Sequence, residues 1–123
     1  MIFVVLVLFN VPLQQPSLAG WWVGHSHCVE ARPACHEEDV LLQFEPGTAS
    51  AMVLHGFRVS GRDTVDMGDL TCRPAREPAA VLCDIPVGRW HFWVAGDHVE
   101  GTLTNLDGTR ARQVRAIRRL TER

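Results

Sequence analysis

Residues 89–119 read RWHFWVAGDHVEGTLTNLDGTRARQVRAIRR, and two pairs of turn residues divide this stretch into three alternating segments. Gly96-Asp97 and Asp107-Gly108 are residue types that tolerate the positive φ angles of two-residue hairpin turns. A short turn also fixes which residues of the flanking strands face each other. The stretch therefore predicts a three-stranded antiparallel meander.

The second turn gives a register with a favourable charge pair. With Asp107-Gly108 as the loop, Glu100 lies opposite Arg115, and opposite charges across two strands support their pairing. Thr104 falls beside Ala111 in the same register. This face of the hairpin is polar, so the other face is predicted to turn towards a core.

The first turn adds a third strand to the same inner face. With Gly96-Asp97 as the loop, Phe92 lies over Gly101, where an aromatic ring can cover the missing side chain. The predicted inner face carries Trp90, Phe92, Val94, Val99, Gly101, Leu103, Arg112, Val114 and Ala116.

Similar alternating segments bounded by Gly, Pro, Asp and Ser continue towards the N terminus. We predict eight strands, at residues 21–28, 40–45, 51–59, 67–73, 80–85, 89–95, 98–105 and 110–119, with a polar loop at residues 60–63. Eight short strands in sequence order close most simply as an up-and-down barrel, which removes exposed sheet edges. The predicted fold class is all-β, a small antiparallel meander barrel in one domain over residues 20–123.

A C-terminal helix is the competing prediction. Apolar residues recur at every third position between Ala111 and Leu120, and Arg, Ala, Gln and Leu are good helix formers. A strand explains more, because it pairs Arg115 with Glu100 and continues the inner face.

The N-terminal residues indicate export. Met1 to Leu8 is apolar, and Ser17-Leu18-Ala19 places small residues at the two positions that a signal peptidase reads. We expect a signal peptide over residues 1–19, cleaved after Ala19, and a secreted or periplasmic mature protein. The apolar stretch is shorter than the roughly 20 residues of a transmembrane helix, so no membrane span is expected in the mature form.

The cysteines fit an oxidising compartment. Four cysteines allow three pairings, and disulfides are the usual state of cysteines in small exported proteins. A local pairing of Cys72 with Cys83 is favoured, and Cys28 with Cys35 would then close a short loop. In a cytosolic protein the same residues would be thiols or metal ligands.

The charge composition is not typical of a nucleic-acid-binding protein. The formal net charge is −2, and arginine takes the place of lysine throughout the chain. Only the C-terminal residues are dense in arginine. We therefore expect no nucleic-acid partner.

Gly20-Trp21-Trp22, with Gly24 two positions further on, resembles the start of the first strand in lipocalins and related calycins. In that superfamily the tryptophan closes one end of the barrel, and an arginine from the last strand lies across it. The resemblance implies a closed end built from these glycines, Trp22 and Arg118, and the predicted register places Arg118 on the inner face. The layout is also similar to a group of uncharacterised secreted bacterial proteins with paired cysteines.

The resemblance also implies a small apolar or amphipathic ligand inside the barrel. The candidates to line that site are Trp90, Phe92, Gly101, Leu103, Val114 and Ala116. Gly101 and Ala116 are small, so they would leave the space that a ligand needs. No cofactor is expected.

Two other functional classes stay open. A secreted protein-binding module, similar to the short barrels that inhibit metalloproteases, would use the segment around Gly20 and Trp21, or an exposed Trp93. A structural envelope protein is the other class. The sequence carries no G-x-S-x-G, H-E-x-x-H or phosphate-binding loop, so we do not expect an enzyme.

His25 and His27 are weak candidates for a metal site. They lie two positions apart on a predicted strand, so both imidazoles project from one face, near Cys28 and Cys35. An inward-facing Trp22 leaves both histidines in solvent. We therefore expect no bound metal.

Overall fold

The computed structural model describes residues 17–30 and 32–119, which form a closed barrel of eight antiparallel strands in sequence order. The strands are β1 (Gly20–Cys28), β2 (Glu38–Pro46), β3 (Met52–Ser60), β4 (Asp63–Pro74), β5 (Ala80–Ile85), β6 (Gly88–Ala95), β7 (His98–Asn105) and β8 (Arg110–Arg118). The predicted all-β meander barrel is confirmed. Most of the predicted signal peptide, residues 1–16, lies outside the described residues. Within the described part of the chain, no helix is long and apolar enough to span a membrane.

The predicted registers of the C-terminal meander are confirmed in its central part. Glu100 pairs with Arg115, and Phe92 pairs with Gly101. A side chain on Gly101 would overlap the Phe92 ring, so the ring occupies the space that the glycine leaves. The C-terminal segment is a strand and not a helix.

The predicted start of β4 is wrong. The strand begins at Asp63 rather than at residue 67, and only Gly61-Arg62 turns the chain between β3 and β4. Gly61 supplies a φ of 62°, which few other residue types adopt without strain. Residues 63–69 are exposed, so their polar side chains belong to a solvated strand rather than to a loop.

The hairpin between β7 and β8 is wider than predicted. Thr104 pairs with Arg110 and not with Ala111, because the register shifts after Leu103. The Asp107 carboxylate accepts a hydrogen bond from the Thr109 backbone N–H at 2.9 Å. This side-chain turn stabilises a longer loop than the two-residue turn that Asp-Gly suggests.

Trp22 closes one end of the barrel, which we call the Trp22 end. Trp22 is 1% exposed, and the Arg118 guanidinium carbon lies 4.1 Å from the centre of its ring. The Trp22 indole N–H donates to the Leu18 carbonyl at 2.9 Å, and Arg118 donates to the Ala19 carbonyl at 2.9 Å. Arg118 therefore joins the last strand to the segment that precedes the first.

The two glycines beside Trp22 meet different constraints. Gly20 has a φ of 124°, in the region that favours glycine. Gly24 pairs with Ala116, and a side chain on Gly24 would overlap the Arg115 carbonyl oxygen. The first glycine therefore bends the chain into β1, and the second lets β8 approach β1 closely.

Both predicted cysteine pairs form disulfides. Cys72 and Cys83 are 1% and 0% exposed and join β4 to β5 inside the core. Cys28 and Cys35 are half-buried and close the loop between β1 and β2, at the end opposite Trp22. Two disulfides are typical of extracellular and periplasmic proteins.

Aromatic rings occupy the middle of the barrel. Phe44 and Phe92 meet edge to face with their centres 5.3 Å apart, and Trp90 stacks on Phe92 at 5.1 Å. Val99 and Ala116 are 0% and 1% exposed. Buried side chains therefore occupy the barrel from the Trp22 end to this layer of rings.

We expect Trp22→Ala to lower the free energy of unfolding by about 3 to 5 kcal/mol, the usual cost of truncating a large buried aromatic side chain. In a double-mutant cycle, Trp22→Leu and Arg118→Leu should couple by about 0.5 to 2 kcal/mol, because the two side chains stack. Urea denaturation measures both quantities. Additive losses would show that the stacking does not stabilise the barrel.

A second prediction concerns the segment before β1. Leu18 is 5% exposed and belongs to the buried core, so cleavage after Ala19 would remove an apolar side chain and the carbonyls that bond Trp22 and Arg118. A chain that starts at Gly20 should be about 2 to 4 kcal/mol less stable than one that starts at Ser17. Urea denaturation compares the two, and Leu18→Ala in the longer chain isolates the apolar part. Equal stabilities would contradict the prediction.

Candidate ligand-binding cavity

A cavity of about 270 Å³ lies inside the barrel, between the ring layer and the end opposite Trp22. Most of its wall is apolar and comes from β2, β3, β4, β6 and β8. The lining residues are Ser26, Glu38, Val40, Leu42, Leu54, Gly56, Met67, Gly68, Leu70, Ile85, Trp90, Phe92, Arg112 and Val114. Polar side chains are confined to the far end, which we call the Arg112 end.

Two glycines on neighbouring strands create much of this space. Gly56 of β3 pairs with Gly68 of β4, and both line the cavity. A Cβ on Gly56 would meet Met67 at 3.7 Å and Leu42 at 4.0 Å, which are ordinary contact distances. A side chain at position 56 would therefore extend into the cavity without overlapping the backbone.

The wall is thin where β4 faces β5. Among the described residues, these strands pair at Arg73↔Leu82 and Pro74↔Val81 alone, so the rest of β4 has no ladder partner on that side. Met67 lines the cavity here and is also 49% exposed. Met67 therefore borders both the cavity and solvent.

Arg112 is the central polar group of the Arg112 end. Its Nε donates to the Ser26 hydroxyl at 2.8 Å, and its Nη2 donates to the His36 carbonyl at 2.6 Å and to Glu38 at 3.1 Å. Its side chain is 16% exposed. The arginine is charge-paired and hydrogen-bonded, as a largely buried guanidinium requires.

The Cys28–Cys35 disulfide lies on the other side of Arg112. Nη1 of Arg112 is 3.0 Å from the Cys35 sulfur and 3.7 Å from the Cys28 sulfur. A shallow depression of about 230 Å³ next to Cys35 also has Arg112 in its wall. The guanidinium therefore separates the inner cavity from the disulfide loop.

The structure brings together some of the predicted ligand-binding residues and not others. Trp90, Phe92 and Val114 line the cavity. Gly101 and Ala116 do not, because the Phe92 ring covers Gly101 and Ala116 packs against Gly24. Leu103 borders the depression beside the disulfide loop instead.

Several lining residues were not predicted from the sequence. Gly56 and Gly68 both lie within strands, where a glycine often marks a bulge or a close approach, and that signal could have found them. Arg112 was placed on the inner face by its register, but its partner Glu38 comes from a distant strand. No spacing in the sequence connects those two residues.

The remaining tryptophans lie on the outer side of the barrel. Trp21 is half-buried and stacks on Phe57, with the ring centres 6.2 Å apart. The segment at Gly20 and Trp21 is therefore part of β1 and not a free arm. Trp93 was expected to be exposed, but it is half-buried and packs against the His91 ring at 4.8 Å.

Glu37 ties the disulfide loop to the outer wall. Its carboxylate accepts a hydrogen bond from the Cys28 backbone N–H at 2.6 Å and lies 3.0 Å from His25 and 2.7 Å from His27. Asp39 lies 3.1 Å from the other ring nitrogen of His25. Across residues 17–30 and 32–119, no three or more His, Cys, Asp or Glu side chains are grouped so that they could hold a metal ion.

These contacts shift two titrations in opposite directions. The Cys28 N–H, with His25 and His27, lowers the pKa of Glu37 to about 2. Glu37 and then Asp39 raise the pKa of His25 above 6.5. The contact between loop and wall is therefore most stabilising between about pH 4.5 and 6.5.

We expect the stabilising contribution of His25 to be complete below pH 6.5 and to be lost as pH rises through its raised pKa. The contribution of Glu37 should be complete above pH 4.5 and be lost as pH falls towards 2. An NMR titration of the imidazole protons measures the histidine directly. Glu37→Gln should lower the pKa of His25. The pKa of His55 should not change in this variant, because Asp69 and Glu45 raise it. An unaltered His25 pKa in that variant would contradict the assignment.

The closed antiparallel barrel of eight strands is consistent with a calycin-like fold. The sequence matches no protein-family model, and no curated protein is significantly similar to it.

Proposed function

We propose that this protein is an exported, lipocalin-like barrel that binds a small amphipathic molecule in the cavity between Phe92 and Arg112. The observation that carries the proposal is the division of the cavity into an apolar wall and a single polar end. Binding pockets commonly combine apolar walls with a few fixed polar groups that orient the ligand.

The glycine pair supports a cavity that is kept open. Gly56 lies within a strand, where glycine costs stability relative to residues that favour strands. It has room for a side chain that would fill part of the space. A barrel with no ligand to hold gains stability by filling such a position.

The size and the polar end narrow the choice of ligand. A volume of about 270 Å³ lies just below the roughly 300 to 1,000 Å³ of sites for drug-sized molecules, so the ligand is small. Ser26, Glu38 and Arg112 can meet a polar group at one end of it. Arg112 and Glu38 already contact each other, so we assign this pair to orienting the polar group of the ligand.

Export rests on the cysteines and on the N-terminal sequence. The two disulfides are typical of a secreted or periplasmic protein. We keep that localisation, and the removal of a signal peptide, as part of the proposal.

A protein-binding module is the second candidate, and the free edge of β4 favours it. Residues 63–69 are exposed and lack a ladder partner on the β5 side among the described residues. A strand of another protein can pair with such an edge. We rank it second because Asp63, Asp66 and Asp69, together with the register shift opposite Met67, are devices by which natural edges avoid pairing. No observation favours a structural envelope protein.

The test uses two fluorescent probes, uncharged N-phenyl-1-naphthylamine and its sulfonated relative 1-anilinonaphthalene-8-sulfonate. We expect each probe to bind at one molecule per chain and to quench tryptophan emission, because Trp90 lines the cavity. Bound probe should also raise the melting temperature of the protein by mass action. Gly56→Leu should abolish binding and change the free energy of unfolding by less than about 1 kcal/mol, since its side chain enters open space.

Val23→Leu is the matched control, because Val23 is exposed on the outer face of β1. This variant should bind the probe like the parent. Equal binding by Gly56→Leu would place the probe outside the cavity, and no binding by the parent protein would remove the ligand-binding proposal.

A further inference from the structure

The two disulfides of this barrel lie in opposite environments. Cys72–Cys83 is enclosed by the core, and its residues are 1% and 0% exposed. Cys28–Cys35 lies in the loop between β1 and β2, and both of its residues are partly open to solvent. A thiol in solution can therefore approach only the second disulfide in the folded protein.

The positively charged guanidinium of Arg112 also contacts this second disulfide. Its Nη1 lies 3.0 Å from the Cys35 sulfur and 3.7 Å from the Cys28 sulfur. Among the described residues, Nη1 donates only to these two sulfur atoms, which are weak acceptors. The other nitrogens of Arg112 bond Ser26, the His36 carbonyl and Glu38. The guanidinium is thus fixed in place, with one nitrogen directed at sulfur.

We propose that Cys28–Cys35 is a thiol–disulfide exchange site for low-molecular-weight thiols, with Arg112 stabilising Cys35 as the leaving thiolate. Exchange is faster when the departing sulfur is a better leaving group, and a neighbouring cation stabilises a thiolate. Cys35 is closer to the guanidinium than Cys28 is, so the incoming thiol joins Cys28.

The reaction balances with two thiols as the reductant. A thiolate RS⁻ attacks Sγ of Cys28, the Cys28–Cys35 bond breaks, and its electron pair moves to Sγ of Cys35. A second thiolate then attacks the sulfur atom that the first thiol contributed to the mixed disulfide. This step releases RSSR and leaves Cys28 as a thiolate. The two thiols supply two electrons and two protons, of which one protonates Cys28 and one enters solvent while Cys35 remains a thiolate beside Arg112.

This site does not depend on the proposed ligand. Reduction would release the loop from one of its covalent anchors, yet the exchange needs only the disulfide, Arg112 and the thiol. The core disulfide Cys72–Cys83 is an internal reference, because it belongs to the same chain and experiences the same reductant.

The experiment incubates the folded protein with mixtures of reduced and oxidised glutathione, quenches with acid, alkylates free thiols and locates them by mass spectrometry. Cys28 and Cys35 should become alkylated at least about tenfold faster than Cys72 and Cys83. The trapped mixed disulfide should carry glutathione on Cys28. Equal rates for the two disulfides, or glutathione on Cys35, would overturn the proposal.

Variants test the part played by the charge. Arg112→Gln should slow the reduction of Cys28–Cys35 about fivefold or more, and Arg112→Lys should restore part of the rate. Arg32→Gln is the matched control, because Arg32 lies in the same loop and pairs with Glu30 at 2.7 Å; its rate should equal that of the parent. An unchanged rate in Arg112→Gln would overturn the role of Arg112. If that variant fails to fold, the position of glutathione in the parent protein decides.

Discussion

The barrel depends on the pairing of β1 with β8, which closes a single eight-stranded circuit, and the contact between Arg118 and Trp22 lies at the end of that ladder. β1 and β8 are the first and last strands, and they must pair for the sheet to close. Arg118 covers the Trp22 ring and donates to the carbonyl of Ala19, so one side chain contacts the last strand, the first strand and the segment before it. A meander without the β1–β8 ladder would expose the edges of both strands to pairing with other chains.

Closure at one end explains why the cavity lies towards the other. Buried side chains occupy the interior from the Trp22 end to the ring layer of Phe44 and Phe92. Beyond that layer, the glycine pair of β3 and β4 widens the interior, and the short β5 leaves much of β4 without a ladder partner among the described residues. The same sheet is therefore a packed core in one half and a thin-walled container in the other.

The sequence predicted what local rules control. The turns at Gly96 and Gly108 and the alternation of apolar residues fixed the central registers of β6, β7 and β8, and hence the inward positions of Arg112 and Arg118. What it could not predict depends on contacts between distant residues. The approach of Glu38 to Arg112 follows from closure of the barrel, and the space beside Gly56 follows from its pairing with Gly68 on the neighbouring strand. Neither leaves a periodic signal in the chain.

Two arginines of one strand show how position decides the role of a side chain. Arg112 and Arg118 both face inward from β8, because they are separated by an even number of residues. Arg118 contacts the face of the Trp22 ring and donates hydrogen bonds to backbone carbonyls. Its role is therefore structural. Arg112 has a carboxylate, a hydroxyl and a carbonyl on one side, but its remaining nitrogen meets only sulfur among its described contacts. Arg118 thus joins the first and last strands at the Trp22 end, and Arg112 lies between the cavity and the half-buried disulfide at the other end.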